Sequence, residues 1–143
     1  MSDLDLPDVN VLLALLTPNH VHHVVAQKWF AQTVRYATSP LTESGFLRLS
    51  MNPSVMGTAI SAYDALNSLR SLREDDRAFF LEDGSSLVNP RIDLITLVGH
   101  KQVTDMHLIN LAAYNNATLI TLDSRIEQTL TSHDQHLVSV LRG

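Results

Sequence analysis

Apolar positions fall along this chain in two alternating rhythms, short dense bursts and longer stretches at helical spacing. Leu4-Asp5-Leu6-Pro7-Asp8 reads as a short strand that stops at Asp8, and Val9 to Leu16 has the apolar density of a buried helix. Pro7 removes a ladder donor, so it belongs at the strand's end or at a bulge. Thr17-Pro18-Asn19-His20 breaks that helix, and His22 to Arg35 predicts an amphipathic second one through Val24, Val25, Trp29, Phe30 and Val34. Tyr36-Ala37-Thr38 predicts a short strand. Ser39-Pro40 then predicts a helix start, because serine can cap free amides and proline suits the first helical position. Glu43 falls in the first turn of this helix, which runs through Phe46, Leu47 and Leu49 and stops near Asn52-Pro53.

The second half continues the alternation. Ser61 to Arg73 predicts a fourth helix with Ala62, Ala65, Leu66 and Leu69 as its inner stripe, and Arg77 to Leu81 a strand closed by Glu82-Asp83-Gly84. Ile92 to Val98 is apolar enough for a short helix, followed by a loop at Gly99-His100-Lys101-Gln102. Thr104 can cap the next helix, Asp105 to Tyr114, which is apolar nearly all round after its first turn and should be well buried. Asn115-Asn116 marks its end. Ala117 to Leu122 is the clearest strand in the chain and ends at Asp123, with a helical turn through Glu127 and Leu130 before a last strand, Leu137 to Leu141. Strands that alternate with helices of this length imply parallel pairing through right-handed crossovers, hence an α/β fold.

Composition narrows the setting. The 143 residues are 45% hydrophobic and 17% charged, which suits one domain, residues 1–143, with a single sizeable core. No run approaches the length of a membrane span, and the start Met1-Ser2-Asp3-Leu4-Asp5 lacks the features of a secretory signal, so no membrane attachment and a cytoplasmic location are expected. The absence of cysteine excludes disulfides and thiolate metal sites. A net charge of −5 argues against a general basic surface for gripping nucleic acid, although a cation in an acidic pocket could still hold phosphate.

That possibility gives weight to the placement of the acids. Asp8, Glu43, Asp105 and Asp123 each stand where a strand or loop gives way to a helix, and in a parallel sheet such junctions share one edge. Singly, each has an ordinary explanation as a cap, a turn residue or a partner of the helix dipole. If they meet, two carboxylates ~4 Å apart repel by about 4 kcal/mol at an effective dielectric near 20. Raised pKa values or a cation must answer that repulsion. Oxygen ligands without cysteine select a hard ion such as Mg²⁺ or Mn²⁺, which binds a few carboxylates together with substrate phosphate and suits phosphodiester hydrolysis.

Leu6-Pro7-Asp8-Val9-Asn10-Val11-Leu12-Leu13-Ala14-Leu15 resembles the opening motif of PIN-domain proteins. Thr42-Glu43-Ser44-Gly45-Phe46-Leu47-Arg48-Leu49 looks like their second acidic motif, Thr104-Asp105-Met106-His107-Leu108-Ile109-Asn110-Leu111-Ala112 like the third, and Leu119-Ile120-Thr121-Leu122-Asp123 like the fourth. With the size and Asn52-Pro53, the likeness is strongest to VapC-type toxins of toxin-antitoxin pairs. The resemblance implies a three-layer α/β/α fold with a mainly parallel central sheet, a Mg²⁺- or Mn²⁺-dependent endoribonuclease acting on RNA, a homodimer and a cognate antitoxin. It implies Asp8 and Asp105 as main metal ligands, Glu43 and Asp123 completing the catalytic cluster directly or through water, and Asn10 ordering the first loop by hydrogen bonding. Pro7 and the bulky Leu108-Ile109-Asn110 depart from the common pattern without removing a carboxylate.

Other residues carry weaker signals. Arg48 and Arg125 could face the cleft and hold phosphate, or stand as ordinary surface arginines. His20, His22 and His23 read better as surface and capping residues than as a transition-metal site. The mixed charges from Arg70 to Arg77 read as a solvated helix end, and Trp29, Phe30, Phe79 and Phe80 as mostly core, with some share available to a dimer or antitoxin interface. Two rival functions remain at this point: a non-catalytic PIN-like scaffold acting through protein binding, and a phosphoacceptor receiver domain. The second is disfavoured because Lys101 precedes Asp105 instead of following a late strand.

Overall fold

The computed structural model describes residues 3–58 and 60–143; Met1 and Ser2, on which the expectation about a secretory signal partly rests, lie outside the described residues. Five strands, β1 (Leu4–Pro7), β2 (Arg35–Thr38), β3 (Ala78–Phe80), β4 (Thr118–Thr121) and β5 (Val138–Val140), form one sheet in the order β3-β2-β1-β4-β5. Every pairing is parallel. The helices are α1 (Val9–Leu16), α2 (His23–Gln32), α3 (Pro40–Ser50), α4 (Pro53–Met56), α5 (Ala62–Glu74), α6 (Val103–Tyr114) and α7 (Ser124–Gln128).

Alternation along the strands splits the apolar residues between the two faces. Leu4, Leu6, Ala37 and Leu119 pack with Met106, Ile109 and Ile126 of α6 and α7 and with Ile92. Tyr36 and Ile120 pack with Leu12, Trp29, Phe46 and Leu69, from α1, α2, α3 and α5. The sheet is thus the middle layer of three, and among the described residues no helix is long and apolar enough to cross a membrane. Pro7 ends β1 as expected: pairing with β2 has stopped at Asp5–Tyr36, where a missing N–H costs nothing, while Asp8 N–H donates to Ile120 on the β4 side at 2.7 Å.

Several local expectations change. Ile92 to Val98 is irregular, because side chains take up its backbone: Asp134 accepts from Asp93 N–H, and Gln102 accepts from Val98 and Gly99 N–H while donating to the Thr96 carbonyl. The loop after it contains a 3-10 turn, His100–Gln102, so α6 begins at Val103 and Thr104 does not cap it. The inner stripe of α5 is Ala65, Leu69 and Leu72, with Ala62 and Leu66 exposed. Helix α2 is shorter than expected, buries Ala26 and Trp29, and leaves Val24 and Val34 in solvent. Phe79 and Phe80 are 45% and 39% exposed, their rings covered in part by Arg35 and Arg73. The charged stretch is more than a solvated helix end, for Arg77 donates to the carbonyls of Phe30 and Thr33 and so ties down the end of α2.

Candidate active site

Each acid is delivered by a local device. Asp8 is the residue after β1 and caps α1, accepting from Val9 N–H at 2.7 Å. Asp123 follows β4 by one residue and caps α7. Ser39 and Thr42 close a reciprocal capping box at the start of α3, which fixes Glu43 in the first turn beyond β2. Asp105 reaches the same edge by a reversal. Helix α6 ends in a paired turn, with Ala117 N–H donating to Ala112 O, Asn116 N–H to Ala113 O, and Asn116 in the left-handed region at φ 51°. That turn feeds straight into β4, so α6 runs back along the strand and its first turn lies beside β4's carboxyl end.

Thr121 joins these pieces. Its hydroxyl donates to Asp8 Oδ2 at 3.0 Å and accepts from Asp123 N–H at 3.1 Å and from Asn10 Nδ2 at 3.4 Å. One donor and two acceptors exhaust a hydroxyl. Asn10 also accepts from Leu122 N–H at 3.3 Å, so from the first turn of α1 its side chain holds the end of β4 and the β4–α7 loop, where the expectation had it ordering the first loop. Sequence reasoning missed Thr121, because a threonine in a strand reads as an ordinary strand former. Its signal was positional: the last residue of a strand, two before an acid.

The electrostatics show which acids meet. Burial pushes the Asp8 carboxyl up, the Val9 and Thr121 hydrogen bonds oppose this, and the nearby Asp123 charge adds to the rise. Asp105 is pushed up to about 6, first by burial and then by the charges of Asp8 and Asp123, with Arg125 opposing. Asp123 is held below the usual carboxylate range by hydrogen bonds from the Arg125 guanidinium. These three acids therefore share one field. Glu43 is on the same edge but is occupied elsewhere: Thr38 Oγ1 donates to it at 2.6 Å and Arg73 lies 3.5 Å away.

A cleft of about 230 Å³ opens over the pair Asp105 and Asp123, lined also by Lys101, Gln102 and Arg125. Arg125 thus borders the site, and Lys101 is a second cationic neighbour that sequence reasoning passed over. Arg48 is exposed on α3 and does not line this cleft. A wider cleft, about 1050 Å³, lies between α2 and β5 and contains none of the four acids. His20 and His23 make capping contacts, with His20 Nδ1 accepting from His22 N–H and the His23 ring meeting the Ala14 carbonyl, whereas the His22 side chain makes no cap hydrogen bond to α2. Among the described residues, no three His, Asp or Glu side chains close into a finished metal cage. The donor set still suits a hard ion such as Mg²⁺, which keeps waters and needs only one or two carboxylates beside substrate phosphate.

The chain matches the PIN domain family over residues 6–129. It is 44% identical over 121 residues to Ribonuclease VapC38 of Mycobacterium tuberculosis, covering 83% of this chain and 84% of the relative. Ribonuclease VapC39 of the same species is 38% identical over 128 residues, or 87% of this chain and 92% of the relative. Among solved structures, VapBC2 from Rickettsia felis bound to a promoter DNA fragment aligns with TM-score 0.62 at 12% identity, over 97% of this chain and 99% of that one. VapC20 of Mycobacterium tuberculosis, a toxin that cleaves the sarcin-ricin loop, aligns with TM-score 0.58 at 12% identity over 87% and 93%. The five-stranded parallel sheet, the ordered junction acids and these kinships agree: the chain belongs to the PIN domain family, among its VapC members.

Proposed function

We propose that this chain, as one PIN-like domain over residues 1–143, is a Mg²⁺- or Mn²⁺-dependent endoribonuclease, the toxin of a toxin-antitoxin pair. The observation that carries this reading is the convergence of Asp8, Asp105 and Asp123 from three junctions, where burial and then the neighbouring Asp8 and Asp123 charges push Asp105 up to about 6. A site that crowds carboxylates in this way is built to receive positive charge. Its close kinship with ribonucleases supports RNA as the substrate.

Asp8 and Asp105 would hold the ion, with Asp123 and Glu43 completing the acidic set directly or through water. A divalent ion supplies Lewis acidity and lowers the pKa of an attacking water. The chain's own residues do the rest. Thr121 and the Val9 amide fix both oxygens of Asp8, so its carboxylate is oriented before anything binds. Asn10 and Thr121 hold the loop that presents Asp123. Lys101 and Arg125 place positive charge at the cleft's rim, where an RNA phosphate must lie. Glu43 is held by Thr38 and Arg73, so it would join the set only by exchanging those partners or through a water. Kinship with VapC proteins supports a cognate antitoxin as partner, and a homodimer is part of the same proposal.

Purified protein should cleave RNA with Mg²⁺ or Mn²⁺ and stop when a chelator is added. Asp8→Asn and Asp105→Asn should each lower the rate at least about 100-fold, as expected when a direct metal ligand is lost. Cleavage at the parent rate by either variant would overturn the assignment. If no RNA is cut while a partner protein still binds, the non-catalytic scaffold is the correct description.

A further inference from the structure

The three converging acids do not start from the same state. Asp8 receives only neutral donors, Val9 N–H and the Thr121 hydroxyl, and the Asp105 carboxylate accepts no hydrogen bond from any described residue. Asp123 already has a cation. Arg125 Nε donates to Oδ1 at 3.0 Å and Nη2 to Oδ2 at 3.0 Å, and the Arg125 backbone N–H also donates to Oδ1 at 3.0 Å. Both carboxylate oxygens are therefore engaged by one residue two positions away. The guanidinium is nevertheless free to leave, since its side chain is 84% exposed and projects from the first turn of a five-residue helix.

We propose that Arg125 is an internal counter-ion that competes with a divalent cation for Asp123, so that cation binding begins at Asp8 and Asp105 and extends to Asp123 only when the guanidinium swings away. This rests on the metal-dependent reading above and assigns Arg125 a role within it. The exchange also has a use, because a released guanidinium offers five donors in a fork suited to phosphate and is already at the rim of the cleft. Lysine would not substitute fully: it keeps the charge but cannot make the two-oxygen clamp.

The test is Mn²⁺ binding to the full chain without RNA, read from the electron paramagnetic resonance signal of free Mn²⁺. Arg125→Ala should bind Mn²⁺ about three- to tenfold more tightly than the parent, the range expected for freeing a carboxylate from a solvent-exposed, bidentate pair. Arg125→Lys should fall between the two. In an Asp123→Asn background, Arg125→Ala should change nothing, because the contested group is gone. Unchanged Mn²⁺ affinity in Arg125→Ala, even with a lower melting temperature, would show that the pair only braces α7 and would overturn the proposal. If Mn²⁺ binds and Asp8→Asn weakens it while Arg125→Ala does not alter it, only the role of Arg125 fails; if the parent chain binds no Mn²⁺, the metal-dependent reading fails with it.

Discussion

Asp105 and Asp123 border one cleft yet are pushed in opposite directions, and the difference lies in what faces each. Burial and the Asp8 and Asp123 charges raise Asp105 to about 6, whereas the Arg125 clamp lowers Asp123. For Asp105 the folded pKa lies above the ordinary 3.8, so folding favours the protonated form. The ionised carboxyl then costs stability above about pH 6, and the cost vanishes as pH falls below about 4. Asp105→Asn should therefore raise the melting temperature of the metal-free protein near pH 7.5. Allowing for the solvent that reaches this half-buried group, the gain is about 1 kcal/mol, or about 3 °C. Near pH 4 parent and variant should melt together, and an equal difference at both pH values would contradict the account.

At this scale the acids were legible because their types and positions are unusual for what surrounds them. Thr121 and Lys101 were not. A threonine closing a strand and a lysine in a polar loop are ordinary, and their roles exist only through partners more than a hundred residues away or through a cleft that folding creates. Likewise the Arg73 contact separates Glu43 from the other acids without any mark in local sequence.

Among the elements, α1 and α3 show how a motif can be a packing requirement. A Cβ added at Gly45 would lie 2.7 Å from Val9 Cγ2, inside van der Waals contact with a stiff β-branched side chain. Helix propensity alone makes Gly45→Ala worth about 1 kcal/mol of stability. The collision should reverse that sign and cost roughly 1–2 kcal/mol net, measurable by urea unfolding. Adding Val9→Ala should recover the helix propensity gain, and a stabilised Gly45→Ala single variant would contradict the close contact. The same two helices carry Asp8, Asn10 and Glu43, so their spacing bears on the site.

Elements with strong periodicity or clear end signals were legible: α1, α3 and β4 agree closely with expectation, and α6 does so at its end though not at its start. Ile92 to Val98 was not, because its apolar content is helical in density while Asp134 and Gln102 offer its amides better partners. Buried Asn110 does the same upstream, accepting from Arg91 N–H and donating to the Ser86 carbonyl. These side chains lie 19 to 41 residues away for Arg91 and Asp93, beyond any local window. Propensity lost to tertiary hydrogen bonding.

For the whole molecule, the parallel sheet followed from alternation, but the order β3-β2-β1-β4-β5 could not be read from the chain. That order matters most to function. Placing β1 between β2 and β4 sets Asp8 at the centre of the edge, with Glu43 on one side and Asp123 on the other. The antiparallel return of α6 then brings Asp105 beside Asp8 and Asp123. In a chain of net charge −5, the attraction for RNA proposed for this cleft would come from local cations, Lys101, Arg125 and the proposed ion, more than from an overall field. The central claim is that Asp8 and Asp105 share a divalent ion. Anomalous scattering from Mn²⁺-soaked crystals tests it most directly: a Mn²⁺ peak bound by both carboxylates, lost in Asp105→Asn, is the predicted result, and no peak there, or one that persists in the variant, would contradict it.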